Sequence, residues 1–220
     1  RHIAATLAMV LACAQANVVF PMSAFGLSGL ATMVISALCG ILGASATYYY
    51  FARNLSTKEY LPEPKPTHPV AENTLGVLAV INRAGKEAFN IAVAATPMLI
   101  LALLLVNLLR AAGTINLLEP LLLPIFASMD LPSSVLLPIL TKYIAGGTAM
   151  MGVAVDLVQS DAMTTGDLNR LAGFLIHPFD IAGIAVLISA GPRVAAVLRP
   201  ALLGAVVAIL LRSVVHNFMF

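Results

Sequence analysis

One apolar run of the chain, TKYIAGGTAMMGVAVDLV, contains a cation, a glycine pair and a carboxylate. The cation is Lys142, the glycines are Gly146 and Gly147, and the carboxylate is Asp156. An unpaired cation deep in lipid costs at least about 2.5–3.5 kcal/mol, so a lysine in such a run needs a counter-charge or a polar cavity. These residue types point to an ion pair or to the wall of a site for a polar solute.

The partner of Lys142 has to come from another segment of the chain. Asp156 follows fourteen residues later, which is about 21 Å along a straight helix. We expect Glu119 to be the first candidate partner and Asp180 the second. Three interpretations stay open from the sequence: a polar cavity used by a solute, a structural ion pair, and a lysine that reaches to the membrane surface.

The glycine pair has two interpretations as well. Gly146-Gly147-Thr148 could unwind the helix near the bilayer centre and free backbone groups for a ligand, as the discontinuous helices of transporters do. Alternatively, Ala145–Ala149 and Thr148–Gly152 place small residues four apart, a spacing that lets a neighbouring helix pack closely. The spacing by itself favours close packing.

A second polar cluster is IHPFD, with His177 and Asp180 three residues apart and therefore neighbours if the segment is helical. A His–Asp pair could relay protons in a coupled carrier, or it could be a hydrogen-bonded structural pair. No further His, Cys or acidic cluster accompanies it in the sequence, so no metal site is predicted. Because no nucleophile elbow, Walker loop or zincin spacing occurs, we expect neither an enzyme nor a cofactor.

Composition indicates the surroundings of these residues. Hydrophobic residues make up 60% of the chain and charged residues 10%, against about 45–50% and about 25% in soluble domains. So few charges cannot cover the surface of a soluble domain of this length, which predicts an integral membrane protein with the lipid bilayer as its partner. The net charge of +2 and the lack of a basic cluster argue against a nucleic-acid partner.

Apolar segments of about 20 residues can cross a bilayer as helices. The sequence therefore predicts an all-α, polytopic membrane protein with about six crossings: 3–20, 27–51, 91–109, 133–158, 171–190 and 201–215. Between the third and fourth crossings, 114–132 contains two prolines four residues apart, and Glu119 stands just before the first. We interpret this segment as a re-entrant or broken helical hairpin, although a crossing by 117–126 stays open.

The long polar stretch divides the chain. Residues 1–51 form an N-terminal transmembrane hairpin, 52–74 form a Pro-rich connector, and 75–220 form a helical membrane domain. This domain begins with an amphipathic segment in which Val77 and Ile81 face one side and Asn82 and Lys86 the other. It is predicted either to lie on the membrane surface or to extend the next crossing as a polar stretch.

The basic residues orient this arrangement. With six crossings and a re-entrant hairpin, eight of the twelve Lys and Arg residues, Arg212 among them, fall on the side of both termini. Because basic residues concentrate in cytoplasmic loops, we expect both termini and the connector to be cytoplasmic.

Part of the chain, from about Ala84 to Leu157, resembles the nucleoside-recognition, or Gate, domain family. The resemblance lies in Thr96-Pro97, in LLRAAGTINLLEPLLLPIF, in MDLPSSVLLPIL and in AGGTAMMGVAVDL. Such domains occur in spore maturation membrane proteins and resemble the gate regions of nucleoside and ferrous iron transporters. The resemblance implies a bacterial inner-membrane protein in which a hairpin packs against a broken helix and solute can pass. Ala145 replaces the serine that some relatives place before the glycines.

Together these observations predict a transporter-like protein with a central polar site for a small solute. Glu119, Lys142 and Gly146-Gly147-Thr148 are expected to line the site, and His177 and Asp180 are candidates for proton coupling. The alternative is a non-transporting membrane scaffold or a partner subunit of a larger complex. Because six crossings are few for a self-sufficient carrier, we expect a homodimer or a partner membrane subunit in either case.

Overall fold

The structure, a computed structural model, describes residues 1–55, 76–86, 131–181 and 192–220, with scattered positions between 89 and 127 and between 183 and 187. All regular secondary structure in these residues is helical, which confirms the all-α prediction for them. Residues 56–74 of the predicted connector, most of the predicted crossing at 91–109, and Glu119 in the predicted hairpin at 114–132 lie outside the described residues.

Within the described residues, the structure delimits eight helical segments. Their bounds are α1 His2–Ala12, α2 Ala16–Ser23, α3 Gly29–Ala46, α4 77–86, α5 Leu136–Ala145, α6 Gly147–Gln159, α7 Thr165–Leu175 and α8 Pro192–Met219. A π-helical turn, Thr47–Phe51, prolongs α3, and a short turn of 3₁₀ helix precedes α5.

Three helical stretches in the described part of the chain are long and apolar enough to cross a membrane. They are His2–Ser23, Gly29–Phe51 and Val194–Met219, and they overlap the predicted crossings 3–20, 27–51 and 201–215. Small residues let these helices approach closely: a Cβ on Gly43 would lie 2.6 Å from the Ala208 Cβ and from the Gly204 carbonyl oxygen. Close contact through glycine and alanine is typical of helices that pack in lipid.

The directions of these helices place the ends of the chain. Helix α1 runs antiparallel to α3, because the Arg1 side chain contacts the Arg53 carbonyl while the Ala14 N–H donates to Ser36 Oγ. Helix α8 is also antiparallel to α3, since Gly43 packs on Ala208. Helices α1 and α8 are therefore parallel, and the two termini lie at opposite ends of the bundle. The expectation of both termini on one side is wrong for this packing.

The segment predicted to cross at 133–158 turns back instead. Ser134, just before α5, donates a hydrogen bond of 2.6 Å to the carbonyl of Ala162, just after α6. The reversal occurs at Gly146, whose backbone has φ 88° and ψ 176°, a conformation accessible essentially only to glycine. At about 1.5 Å per residue the arms are about 15 Å and about 20 Å long, each shorter than a bilayer core of about 30 Å. Helices α5 and α6 thus form a helical hairpin, and the prediction of one straight helix over 133–158 is wrong.

Two further interruptions occur in segments that the sequence predicts to be continuous helices. Helix α1 ends at Ala12, and α2 begins at Ala16 after a short extended stretch. Helix α7 begins with a capping box between Thr164 and Asp167, and it ends at Leu175. Residues 176–180 are not helical, and helix resumes after Asp180. An apolar core between α2, the hairpin and α7 holds these pieces together.

The segment 77–86 is helical, as predicted, and forms α4. Its apolar side chains are exposed, including Val77 (76%) and Leu78 (77%). Its location at the membrane surface stays a prediction.

The turn at Gly146 gives a direct test of the hairpin. We expect Gly146→Ala to destabilise the protein by about 1–3 kcal/mol, because alanine does not adopt this backbone conformation without strain. Gly152→Ala is the matched control: this glycine lies within α6 with no atom near its added Cβ, so alanine should stabilise by up to about 1 kcal/mol. The free energy of unfolding of the detergent-purified protein measures the effect of both substitutions. Equal effects of the two changes would contradict the turn.

Candidate functional site

The three interruptions meet at one place. The hairpin tip contacts the gap between α1 and α2, since a Cβ on Gly147 would lie 2.6 Å from Gln15 Oε1. The tip also contacts the gap after α7, since a Cβ on Gly146 would lie 3.7 Å from the Asp180 carboxylate. Non-helical backbone at this depth in a membrane is tolerated only where protein or a polar cavity satisfies its polar groups. The convergence therefore forms a polar centre within an apolar bundle.

A buried ion pair occupies this centre. Lys142 Nζ lies 2.5 Å from Asp180 Oδ2, and the two side chains are 0% and 5% exposed. This ion pair joins the last turn of α5 to the break that follows α7. Asp180, the second predicted partner of Lys142, is the one in contact, while Glu119 lies outside the described residues. The interpretation of Lys142 as a lysine that reaches the membrane surface is wrong, because its amine is enclosed.

Asp180 has a second role at the start of the helix that follows the break. Its Oδ1 accepts a hydrogen bond of 2.7 Å from the Gly183 N–H, and its carbonyl accepts one from the Ile184 N–H. This is the pattern of a helix N-cap, where a carboxylate also interacts favourably with the positive end of the helix dipole. The carboxylate thus has one partner that is independent of Lys142.

Arg212 stabilises the C-terminal ends of α1 and α7. Its side chain is fully buried and donates to the carbonyl of Ala12 at 2.6 Å and to that of Ala172 at 3.3 Å. These carbonyls lie in the last turns of α1 and α7, where each helix carries a partial negative charge. The expectation that Arg212 lies among the cytoplasmic charges is wrong. Its place within the apolar run AILLRSVV is the signal that sequence reasoning missed.

His177 is fully buried but does not pair with Asp180 as predicted from helical spacing. Its Nε2 lies 2.9 Å from the Phe174 carbonyl, and its Nδ1 lies 3.2 Å from the Phe179 N–H. These partners assign the hydrogen to Nε2 and leave Nδ1 as an acceptor. The spacing argument fails because 176–180 is not helical. Any proton relay from His177 to Asp180 therefore needs a further group between them.

Gln15 is a residue that the sequence analysis did not assign to the site. Its Oε1 is buried beside the hairpin tip and has no hydrogen-bond partner in the described part of the chain. An acceptor left in this state costs about 1–3 kcal/mol. Gln15 is the N-cap residue of α2, in a mostly apolar segment. Only knowledge of the break between α1 and α2 could have assigned it to the site.

The predicted site residues therefore divide into two groups. Lys142, Gly146, Gly147 and Asp180 come together at the hairpin tip, whereas Thr148 is exposed on the surface of this chain. Both interpretations of the glycine pair apply in part, since Gly146 breaks the helix and Gly147 packs closely on a neighbour.

A cavity lies away from this centre. It has a volume of about 580 Å³ and lies at the open base of the hairpin, where Pro132, Asp161, Thr164 and Asp167 are among its lining residues. Within the described ranges, no group of three or more His, Cys, Asp or Glu side chains is placed to hold a metal ion.

Comparison of the chain with protein-family models, with curated proteins and with solved structures found no match.

A double-mutant cycle tests whether the ion pair organises the site. Asp180→Asn alone leaves an uncompensated buried ammonium, so we expect it to destabilise by about 3–5 kcal/mol. Adding Lys142→Met removes that charge, and we expect the double variant to recover about 1–3 kcal/mol relative to the sum of the single changes. Denaturant unfolding in detergent gives the change in the free energy of unfolding for each single variant and for the double variant. Strict additivity would show that the two groups do not interact.

Proposed function

We propose that this chain is a transporter-like integral membrane protein with a central polar site for a small solute, either a nucleoside-like molecule or an ion. The observation that supports the proposal is the buried ion pair between Lys142 and Asp180, which joins the tip of a helical hairpin to a broken crossing. Intramembrane charges that pair inside a bundle typically mark solute or ion pathways.

The broken helices favour a solute site over simple packing. In secondary transporters, discontinuous helices place the ends of half-helices around the substrate near the bilayer midplane. Here α1 and α7 end beside Arg212, which donates hydrogen bonds to carbonyls in their last turns. Helix α6 begins at Gly147, and its first internal hydrogen bond is the one that the Met150 N–H donates to the Gly146 carbonyl. The Gly147 N–H comes before that bond and so has no acceptor within the helix. A bundle built for packing alone has no need of three interruptions that meet at one point.

The resemblance to the Gate domain family supports the same proposal. It implies a hairpin packed against a broken helix, and within the resembling part of the chain the predicted helix over 133–158 is broken at Gly146. A location in the bacterial inner membrane, and assembly as a homodimer or with a partner membrane subunit, are parts of this proposal.

A second candidate function is a non-transporting scaffold or partner subunit. The specific observation in its favour is the enclosure of the centre: Lys142, Gly146 and Gly147 are all buried, and the cavity described above lies at the base of the hairpin instead. A closed state of a transporter has the same appearance, so the two functions differ in whether the centre opens.

Solute uptake by proteoliposomes is the deciding measurement. We expect uptake of at least one member of a panel of radiolabelled nucleosides and inorganic ions, and we expect Lys142→Ala to abolish it while the protein stays folded. Asp156→Asn changes an exposed carboxylate on the same hairpin and should leave uptake intact. If no panel member enters, or if Lys142→Ala retains uptake, the proposed role of this lysine is wrong.

Orientation gives a separate prediction. One end of the bundle presents Arg1, Arg53 and Arg199, so the positive-inside rule places that end in the cytoplasm. In a chain without Cys13 and Cys39, a cysteine replacing Asn54 should be protected from an impermeant thiol reagent in whole cells, whereas one replacing Ser160 should react. The reverse labelling pattern would contradict the orientation.

A further inference from the structure

We infer that the hairpin tip is a gate, and that a small solute with an anionic group, a carboxylate or a phosphate, opens it by drawing Lys142 away from Asp180. The inference rests on the proposed function, because it names the class of solute that the central site takes and how that site opens.

The two partners of the ion pair are not equally dependent on each other. When Lys142 leaves, Asp180 still accepts the Gly183 N–H at 2.7 Å and still lies at the start of a helix. When Asp180 leaves, Lys142 has no other hydrogen-bond partner among the described residues. An ammonium can donate three hydrogen bonds, so two of its hydrogens have no acceptor among the described residues.

This asymmetry selects the sign of the solute. An anion that binds Lys142 leaves both members of the pair with a partner. A cation that binds Asp180 leaves the ammonium enclosed without a counter-charge, the less favourable outcome in a membrane. Arg212 adds a second buried positive charge that hydrogen-bonds carbonyls rather than a carboxylate. The described centre therefore holds two cations and one anion, which favours an anionic guest.

The tip is also the part of the hairpin that can separate. In its closed position against Gly147, the buried Gln15 Oε1 has no hydrogen-bond partner among the described residues. Opening would let water or solute supply one. Toward its base, by contrast, the hairpin is fixed in the apolar core by side chains such as Val135 and Ala154. In the described part of the chain, Lys142 ties the tip to its surroundings through its ion pair with Asp180.

Cysteine accessibility in the full chain, reconstituted in nanodiscs without Cys13 and Cys39, tests the gate. Ala145→Cys reports on the tip, where this residue is 5% exposed, and Ala8→Cys reports on the 0% exposed centre of the three-helix bundle. We expect Asp180→Asn to speed modification of the tip cysteine by an impermeant maleimide about tenfold or more, since it leaves Lys142 unpaired.

The same change should leave the Ala8→Cys rate unaltered, and Asp156→Asn should alter neither rate. No acceleration at the tip would overturn the gate. Equal acceleration at both reporters would overturn it too, because the bundle would then be unfolding as a whole.

The sign of the solute is tested with acetate, inorganic phosphate and guanidinium as probes, at ionic strength matched with sodium chloride. In the chain with an intact ion pair, we expect acetate or phosphate to speed tip modification several-fold and guanidinium to have no effect. In Lys142→Gln the tip should react fast without added anion. Comparison of acetate with phosphate distinguishes the two anion classes.

Acceleration by guanidinium alone, or by none of the probes, would overturn the anionic class. These outcomes are independent of uptake: a gate that responds to anions in a chain that transports nothing would leave the inference standing and refute the proposed function.

Discussion

The burial of charge in an apolar bundle is the constraint on which the rest of this structure depends. Lys142 and Arg212 are both fully buried, and neither can be left without compensation in lipid. Lys142 is paired with Asp180, and Arg212 donates hydrogen bonds to the carbonyl ends of two helices, whose partial negative charge partly compensates it. Helix ends and a carboxylate can reach these cations only if helices stop inside the bundle. The breaks and the charges therefore require each other.

Apolar run length and the chemistry of single residues were enough to predict part of this arrangement. The runs at 3–20, 27–51 and 201–215 correspond to the three long apolar helices. The need of an intramembrane lysine for a counter-charge predicted an ion pair, with Asp180 as the second choice of partner. The sequence also singled out Gly146 and Gly147, although it favoured packing for the pair where the structure has a turn at the first glycine and packing at the second.

The remaining features have no local signature. A run such as 133–158 is long enough for one crossing or for two half-length arms, and hydropathy does not distinguish them. The break at Cys13–Gln15 contains neither glycine nor proline, so it depends on tertiary contacts such as the bond from the Ala14 N–H to Ser36. Arg212 binds backbone carbonyls, which any sequence supplies.

The central claim is that Lys142 and Asp180 are in contact when the chain is in a bilayer. Solid-state NMR on lipid-reconstituted protein, with lysine labelled at ¹⁵Nζ and aspartate at ¹³Cγ, measures that contact through the dipolar coupling between the two nuclei. The account predicts a coupling that corresponds to roughly 3–4 Å, as for a charge-assisted hydrogen bond, and its disappearance in Asp180→Asn. Absence of the coupling, or its persistence in Asp180→Asn, would contradict the account.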